Sequence, residues 1–425
     1  MTHLKHHLAV SLGVGITMLG LAGSPLAQAG SGSLDRNFGS RGIVTTDINN
    51  VNNRALDVAI QSDGSIVAVG YAAVGLNGRD DIAITRYGSS GLLDSTFGVG
   101  GKVTTNVLND ANGIGSADVA HAVAIQADGK IVVTGSAGYF DATLGYADYI
   151  VVLRYNVNGS LDATFGTGGV VKSNIGRGID VVVLSNGKIL VAGSSLNRYN
   201  PDGSLDATFG AGGIVTLWGG ASAMSTQSDG KIVVAYDTFD LSGANRGSGL
   251  ARYNVNGSAD TAFYPFGGGW ITDLAIQADD KIVITGAVFA MTAQGAYDGY
   301  AFLVARHNTD GTRDNTFGTR SGAVVSNFGT GDEVPSAVTL QADGKVLVSG
   351  YVTTQAGKGY TLNAAVARYT TSGVLDTGFG SSGLATTTGS LVDSVAVQSD
   401  GKIVTSGASS TAATGADFSL IRYLP

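Results

Sequence analysis

One sequence unit recurs seven times, and that recurrence constrains the fold more than any other feature. Each copy holds an apolar stretch, a Gln-x-Asp-Gly-Lys turn, a second apolar stretch and, further on, Arg-Tyr. The copies open at residues 55–70, 121–135, 178–193, 221–236, 272–286, 336–350 and 393–407. The turn glycines are Gly64, Gly129, Gly187, Gly230, Gly344 and Gly401, with Asp280 in the fifth copy. From Gly64 to Gly401 the spacing averages about 56 residues per copy.

Each copy reads as four strands. The first runs into Asp-Gly or Asn-Gly, a hairpin signal because the turn needs φ > 0. The second is Ile-Val-Val-x-Gly, apolar and β-branched. A variable loop follows, then a third strand ending in Arg-Tyr, as in Asp81–Tyr87 and Asp148–Tyr155. A turn such as residues 200–204 leads through Leu-Asp-x-x-Phe-Gly to a short fourth strand. Helical solenoids need a 3.6-residue period, which is missing. Composition agrees: there are 65 Gly, and the only Glu among 33 acidic residues is Glu333, so the chain lacks a helix former and is rich in turn formers. Four strands at this period, seven times, predict an all-β chain folded as a seven-bladed β-propeller of four-stranded blades.

The unit resembles the delta-60 repeat of bacterial exported proteins and, more distantly, NHL repeats. The resemblance runs over about residues 33 to 424. It implies a propeller-like fold and no known chemistry. The two ends complement each other. The chain stops after Arg422-Tyr423, a third strand, and resumes near its start with Leu34-Asp35 and Phe38-Gly39, the piece that should come next. The strand at Ile43–Thr46 is therefore expected to complete the last blade and close the ring, removing both exposed sheet edges. Around Phe263–Trp270 the fourth strand is compressed, so blade four is expected to be distorted or to lack its outer strand.

Residues 1–29 read as an export signal: Lys5 in the n-region, an uncharged apolar run Leu8–Gly23, and Ala27-Gln28-Ala29 as a cleavage site. The run is short for a bilayer span. Cleavage leaves residues 30–425 as one propeller, expected outside the cytoplasm, periplasmic or extracellular, and monomeric. No later segment is apolar enough to cross a membrane. The net charge of −8, or −9 without Lys5, argues against a nucleic-acid partner. The absence of Cys excludes disulfides, zinc–thiolate centres and Cys nucleophiles. No His pair suits zinc, and no nucleophile elbow is present.

Two features recur too regularly to form one active site. Arg stands once per blade at 86, 154, 198, 252, 306, 368 and 422, and Asp at 35, 94, 162, 206, 260, 314 and 376. They are expected to pair as scaffold, with Phe38, Phe97, Phe165, Phe209, Phe263, Phe317 and Phe379 as wedges between blades. His307, in the Tyr slot, reads as a packing substitute. The Asn-x-Asn/Asp-Gly-Ser/Thr-x-Asp segments at 156–162, 200–206 and 308–314 mimic part of a calcium loop but lack its distal Glu. They read as Asx turns, and no cofactor is expected, calcium being the alternative.

Function is expected on the face carrying the variable loops. Its aromatic residues, Tyr139, Phe140, Tyr146, Trp218, Trp270, Tyr297 and Tyr300 among them, suit a protein or carbohydrate ligand as well as loop self-packing. The first strands should bring Asp57, His121, Asp180, Ser222, Asp273, Ser336 and Asp393 to the channel mouth. Asp57, His121, Asp180, Asp273 and Asp393 are then candidates for a metal or acid–base site in a hydrolase or lactonase. The competing reading is a polar, water-lined channel. The leading expectation is a non-enzymatic binding propeller.

Overall fold

The computed structural model describes residues 30–49, 52–74, 79–108, 117–141, 145–217, 219–239, 246–264, 270–291, 297–329, 331–356, 359–411 and 415–425. The expected signal segment, 1–29, lies outside them. The described residues are all-β and form seven antiparallel sheets.

Blade one is an up-and-down meander of Asn53–Ile60, Ile66–Val74, Arg79–Tyr87 and Lys102–Thr105, paired in that order. The next blades begin at Ala117–Ile125, Gly178–Val183, Ala221–Thr226, Trp270–Ile276, Glu333–Leu340 and Ser390–Val397. These first strands lie against one another in sequence around the ring, the seventh against the first, so they line the axis. The second strands are apolar on both faces because each blade is packed between two others. Val67, Val69 and Ile84 of blade one, for example, share a core with Val123, Val133 and Leu153 of blade two.

The ring closes as the two chain ends suggest. Ile43–Thr46 pairs antiparallel with Gly415–Tyr423, in the register Ile43↔Ile421 to Thr46↔Phe418. Asp35 then meets Arg422, at 3.1 Å from Nε and 3.0 Å from Nη2. Blade four has three strands among the described residues, and 265–269, where a fourth would lie, fall outside them.

The recurrent charges form joints between blades. Arg198 Nε donates to Asp206 at 2.6 Å, its Nη1 donates to the Val255 carbonyl of the next blade, and its guanidinium lies 4.4 Å from the Phe209 ring centre. Lys188 from the hairpin turn adds a 2.7 Å contact to the same carboxylate. The Arg–Asp contact, the reach to the next blade and the stacking on Phe recur in blades one, two, four, five and seven. In blade six Arg368 repeats the contacts to Asp376 and Phe379. A buried charge is tolerable when paired and hydrogen-bonded in this way. The Arg-Tyr tyrosines look the other way round the ring: Tyr87 donates to Thr46, and Tyr369 to Ser326, in the preceding blade's fourth strand. His307 is fully buried, and its Nδ1–H donates to the Gly311 carbonyl at 3.0 Å, a packing role.

Candidate functional site at the axis and the loop face

Every first strand carries a β-bulge, and the bulge decides which side chains reach the axis. Register shifts fall between Ala55 and Asp57, Ala120 and Ala122, Gly178 and Asp180, Ala221 and Ala223, Ile271 and Asp273, Pro335 and Ala337, and Val392 and Ser394. A bulge leaves one residue unpaired and re-aims its neighbours. In every blade but the fourth, where Tyr236 stands, a glycine on the second strand opposes the bulge: a Cβ on Gly135 would stand 1.9 Å from the Val119 carbonyl oxygen.

The bulge corrects the sequence alignment. Asp57, Asp180 and Asp273 follow the bulge, whereas His121, Ser222, Ser336 and Asp393 are themselves the extra residue. The seven therefore belong to two structural positions. The residues that truly correspond to Asp57 around the ring are Ala122, Asp180, Ala223, Asp273, Ala337 and Ser394, an alternation of Asp and Ala broken once. The signal was in the spacing: Asp57 precedes Gln61 by four residues, whereas His121 precedes Gln126 by five.

Each axial aspartate joins two blades. Asp57 accepts the N–H of Val58 and, at 2.8 Å, that of Val123 in blade two. Asp180 accepts from Val181 and, at 2.6 Å, from Met224 in blade four. Asp273 accepts from Leu274 and, at 2.7 Å, from Val338 in blade six. The N–H reached always follows the Ala of the partner blade. In blade seven Ser394 instead donates to Asp57 at 2.6 Å.

These carboxylates are enclosed by protein yet keep a half-buried face to the lumen. Burial pushes Asp180 up to about 7, against the Met224 N–H and aided by the Asp57 charge. Burial pushes Asp273 up to about 8, against the Val338 N–H and aided by Asp180 and Asp57. A low-dielectric setting with like charges nearby disfavours the ionised form. Among the described residues, no group of three or more His, Asp or Glu is placed to hold a metal.

His121 Nε2 lies 3.4 Å from Ser136 Oγ. Asp393 holds Arg54 of blade one in a bidentate pair, at 2.7 Å to Nε and 2.6 Å to Nη2. Sequence reasoning missed this pairing, since the two residues are far apart in the chain and neither belongs to the copied motif. Tyr71 and Tyr351, both raised chiefly by burial, stand within electrostatic reach of Arg54.

Of the aromatic candidates, Trp218 lies outside the described residues, as do the side chains of Tyr139, Phe140, Tyr146 and Tyr297. Trp270 and Tyr300 come together on blade five, with rings edge to face at 6.3 Å. Phe289, the cross-strand partner of Tyr300, stacks on it at 5.4 Å. Phe289 is 68% exposed and Trp270 39%. Tyr351 of blade six is within electrostatic reach of Tyr300, which continues the group toward the Arg54–Asp393 pair at the channel mouth.

The opposite face is occupied by its own scaffold. Asn158 Oδ1 accepts from the Ser160 N–H and hydroxyl, and Asp202 and Asp310 do the same for Ser204 and Thr312, so the calcium-like segments are Asx turns. A shallow recess there between blades four and five is lined by Gln227, Lys231, Arg252 and Asp280 among others, and both cations already meet Asp260.

A family model for a β-propeller domain of unknown function, DUF5122, matches residues 61–97, 126–165, 184–209, 227–263, 277–317, 341–379 and 398–425. The chain belongs to this DUF5122 β-propeller family. Its matched segments follow the seven blades. No curated protein matches the sequence. Among solved structures, a Trypanosoma rangeli sialidase in complex with sialic acid is similar at 13% identity and a TM-score of 0.43, over 93% of this chain and 58% of that one. A protein of unknown function from Dyadobacter fermentans is similar at 12% identity and a TM-score of 0.44, over 90% and 98%. An α-L-arabinofuranosidase from Fusarium graminearum is similar at 9% identity and a TM-score of 0.41, over 94% and 98%. Likeness at this level says nothing about chemistry. The present chain spans little more than half the length of the sialidase. No helix among the described residues is long and apolar enough to cross a membrane.

Proposed function

We propose that this chain is an exported, monomeric recognition module of the delta-60 kind, which binds a protein or glycan on its variable-loop face and performs no chemistry on it. One observation carries the reading. The residues copied around the ring are engaged with one another, whereas Trp270 and Phe289, which are not copied, present aromatic surface to solvent on the loop face. Exposed aromatic clusters beside polar groups mark interaction sites. The axial carboxylates accept main-chain N–H groups at both oxygens, which suits joining blades better than activating water.

The test is a ligand screen over glycans and cell-envelope proteins with the purified chain and its Trp270→Ala and Phe289→Ala variants. Binding that weakens in both variants supports the reading; unchanged affinity refutes it. Stoichiometric metal in the purified protein, with a thermal shift on adding EDTA, would favour the metal-dependent hydrolase or lactonase instead.

A further inference from the structure

Resting on the loop-face reading, we infer that the ligand is an uncharged glycan, with one sugar ring stacked on the Trp270–Phe289–Tyr300 group and the chain running toward the channel mouth. The aromatic group is the first support. A pyranose has one face of C–H bonds and a rim of hydroxyls, and the electron-rich faces of aromatic rings attract that C–H face. Phe289 stacks on Tyr300 at an interplanar angle of 27°, and Trp270 flanks Tyr300 at 61°. A platform whose rings are already oriented loses little freedom on binding.

The second support is the size of the surface. A protein partner typically covers about 800 Å² on each side of a stable interface. Among the described residues, the aromatic group is three rings on one blade, and these match one or two sugar rings.

The third support is charge. Arg54 is one cation at the mouth, and Asp393 already takes two of its N–H groups in a bidentate contact. A carboxylate or sulfate on the ligand would have to compete with that half-buried pair. A neutral ligand need not, and the Tyr351 hydroxyl and the pair's outer edges can meet sugar hydroxyls. The arrangement therefore selects against acidic polysaccharides.

The probes are neutral oligosaccharides of glucose, mannose and xylose, with polygalacturonate as the acidic counterpart, titrated calorimetrically against the whole chain. At least one neutral glycan should bind. Trp270→Ala and Phe289→Ala should each weaken it about tenfold or more. Trp270→Phe, which keeps a ring, should recover part of the loss, and this separates stacking from misfolding. Affinity should change less than about twofold between low and high salt, because no ion pair forms. Failure of every neutral probe overturns the inference, as does exclusive binding of polygalacturonate with steep salt dependence. A protein ligand lost in Trp270→Ala would overturn the glycan assignment and leave the loop-face reading standing. A glycan bound equally by all variants would overturn both.

Discussion

Asp180 of blade three accepts the main-chain N–H of Met224, the residue after Ala223, in blade four at 2.6 Å. The carboxylate thus fastens one blade to the next, and Asp57 and Asp273 do the same for two other pairs.

These joints should make stability depend on pH in a definite direction. Asp180 and Asp273 hold their protons up to about 7 and about 8 in the fold, because burial outweighs the N–H groups they accept. A carboxyl with a raised folded value contributes stability that is complete below its unfolded value and is lost as pH rises through the folded one. The melting temperature should therefore fall between about pH 4 and pH 8. In the Asp180→Asn, Asp273→Asn double variant that slope should flatten. An unchanged slope in differential scanning calorimetry would refute the assignment.

The Arg–Asp joints give the opposite limb. Burial acts to raise Asp162, Asp206 and Asp314, but bonds from Thr, Lys and Arg outweigh it and hold them well below the usual carboxylate range. Their stabilisation is present above that range and is lost as pH falls below it. Melting measured between about pH 5 and pH 2 should show it. With both limbs, the most stable pH should be mildly acidic rather than neutral.

Removing one partner of a buried ion pair strands the other. Arg198→Ala leaves Asp206 with Lys188 and Thr208 as its partners and frees the Val255 carbonyl. It should cost about 3–5 kcal/mol in urea denaturation. Arg198→Lys should recover only part, since an ammonium lacks the planar fork with which the guanidinium spans the Asp206 and Val255 contacts.

Gly135 is required for space rather than for a special dihedral angle. Gly135→Ala drives a Cβ into the Val119 carbonyl at the bulge and should destabilise by about 1–3 kcal/mol. Gly88→Ala is the control, since its nearest neighbour is the Leu92 carbonyl at 4.0 Å. Equal effects of the two would refute the steric account.

Deleting residues 30–47 strips the outer strand from blade seven and leaves Arg422 without Asp35 and Tyr87 without Thr46. Hydrogen exchange should show protection lost at Gly415–Tyr423 before it is lost in blade two. Uniform loss would mean that the ring unfolds as one unit.

The blades were legible because the repeat writes each strand, turn and buried charge in the same place every time, Arg198 and Asp206 as plainly as Arg86 and Asp94. The closure was legible because the two chain ends complement each other. The axis was not. His121 is itself the single unpaired residue before Ala122, and hydrophobic alternation does not reveal it, so two positions were read as one. Arg54–Asp393 was hidden for another reason: ring closure brings these residues together, and nothing local foretells a contact between the first and last blades. The grouping of Trp270, Phe289 and Tyr300 depends on cross-strand register, which the loops between those strands do not disclose.

The alternation of Asp and Ala around the axis carries a question of parity. Two-blade units tile a ring of six or eight without remainder, and seven leaves one blade unmatched. Blades one and two, three and four, and five and six are coupled as acceptor and donor, and the seventh carries Ser394 at that position, neither the Asp nor the Ala. The mismatch falls where the circle is sealed, and there a hydroxyl from Ser394, the Arg54–Asp393 pair and a strand from the chain's beginning take over. The disk is thus three couples and a keystone, and its one odd joint is also the one at which its chemistry differs.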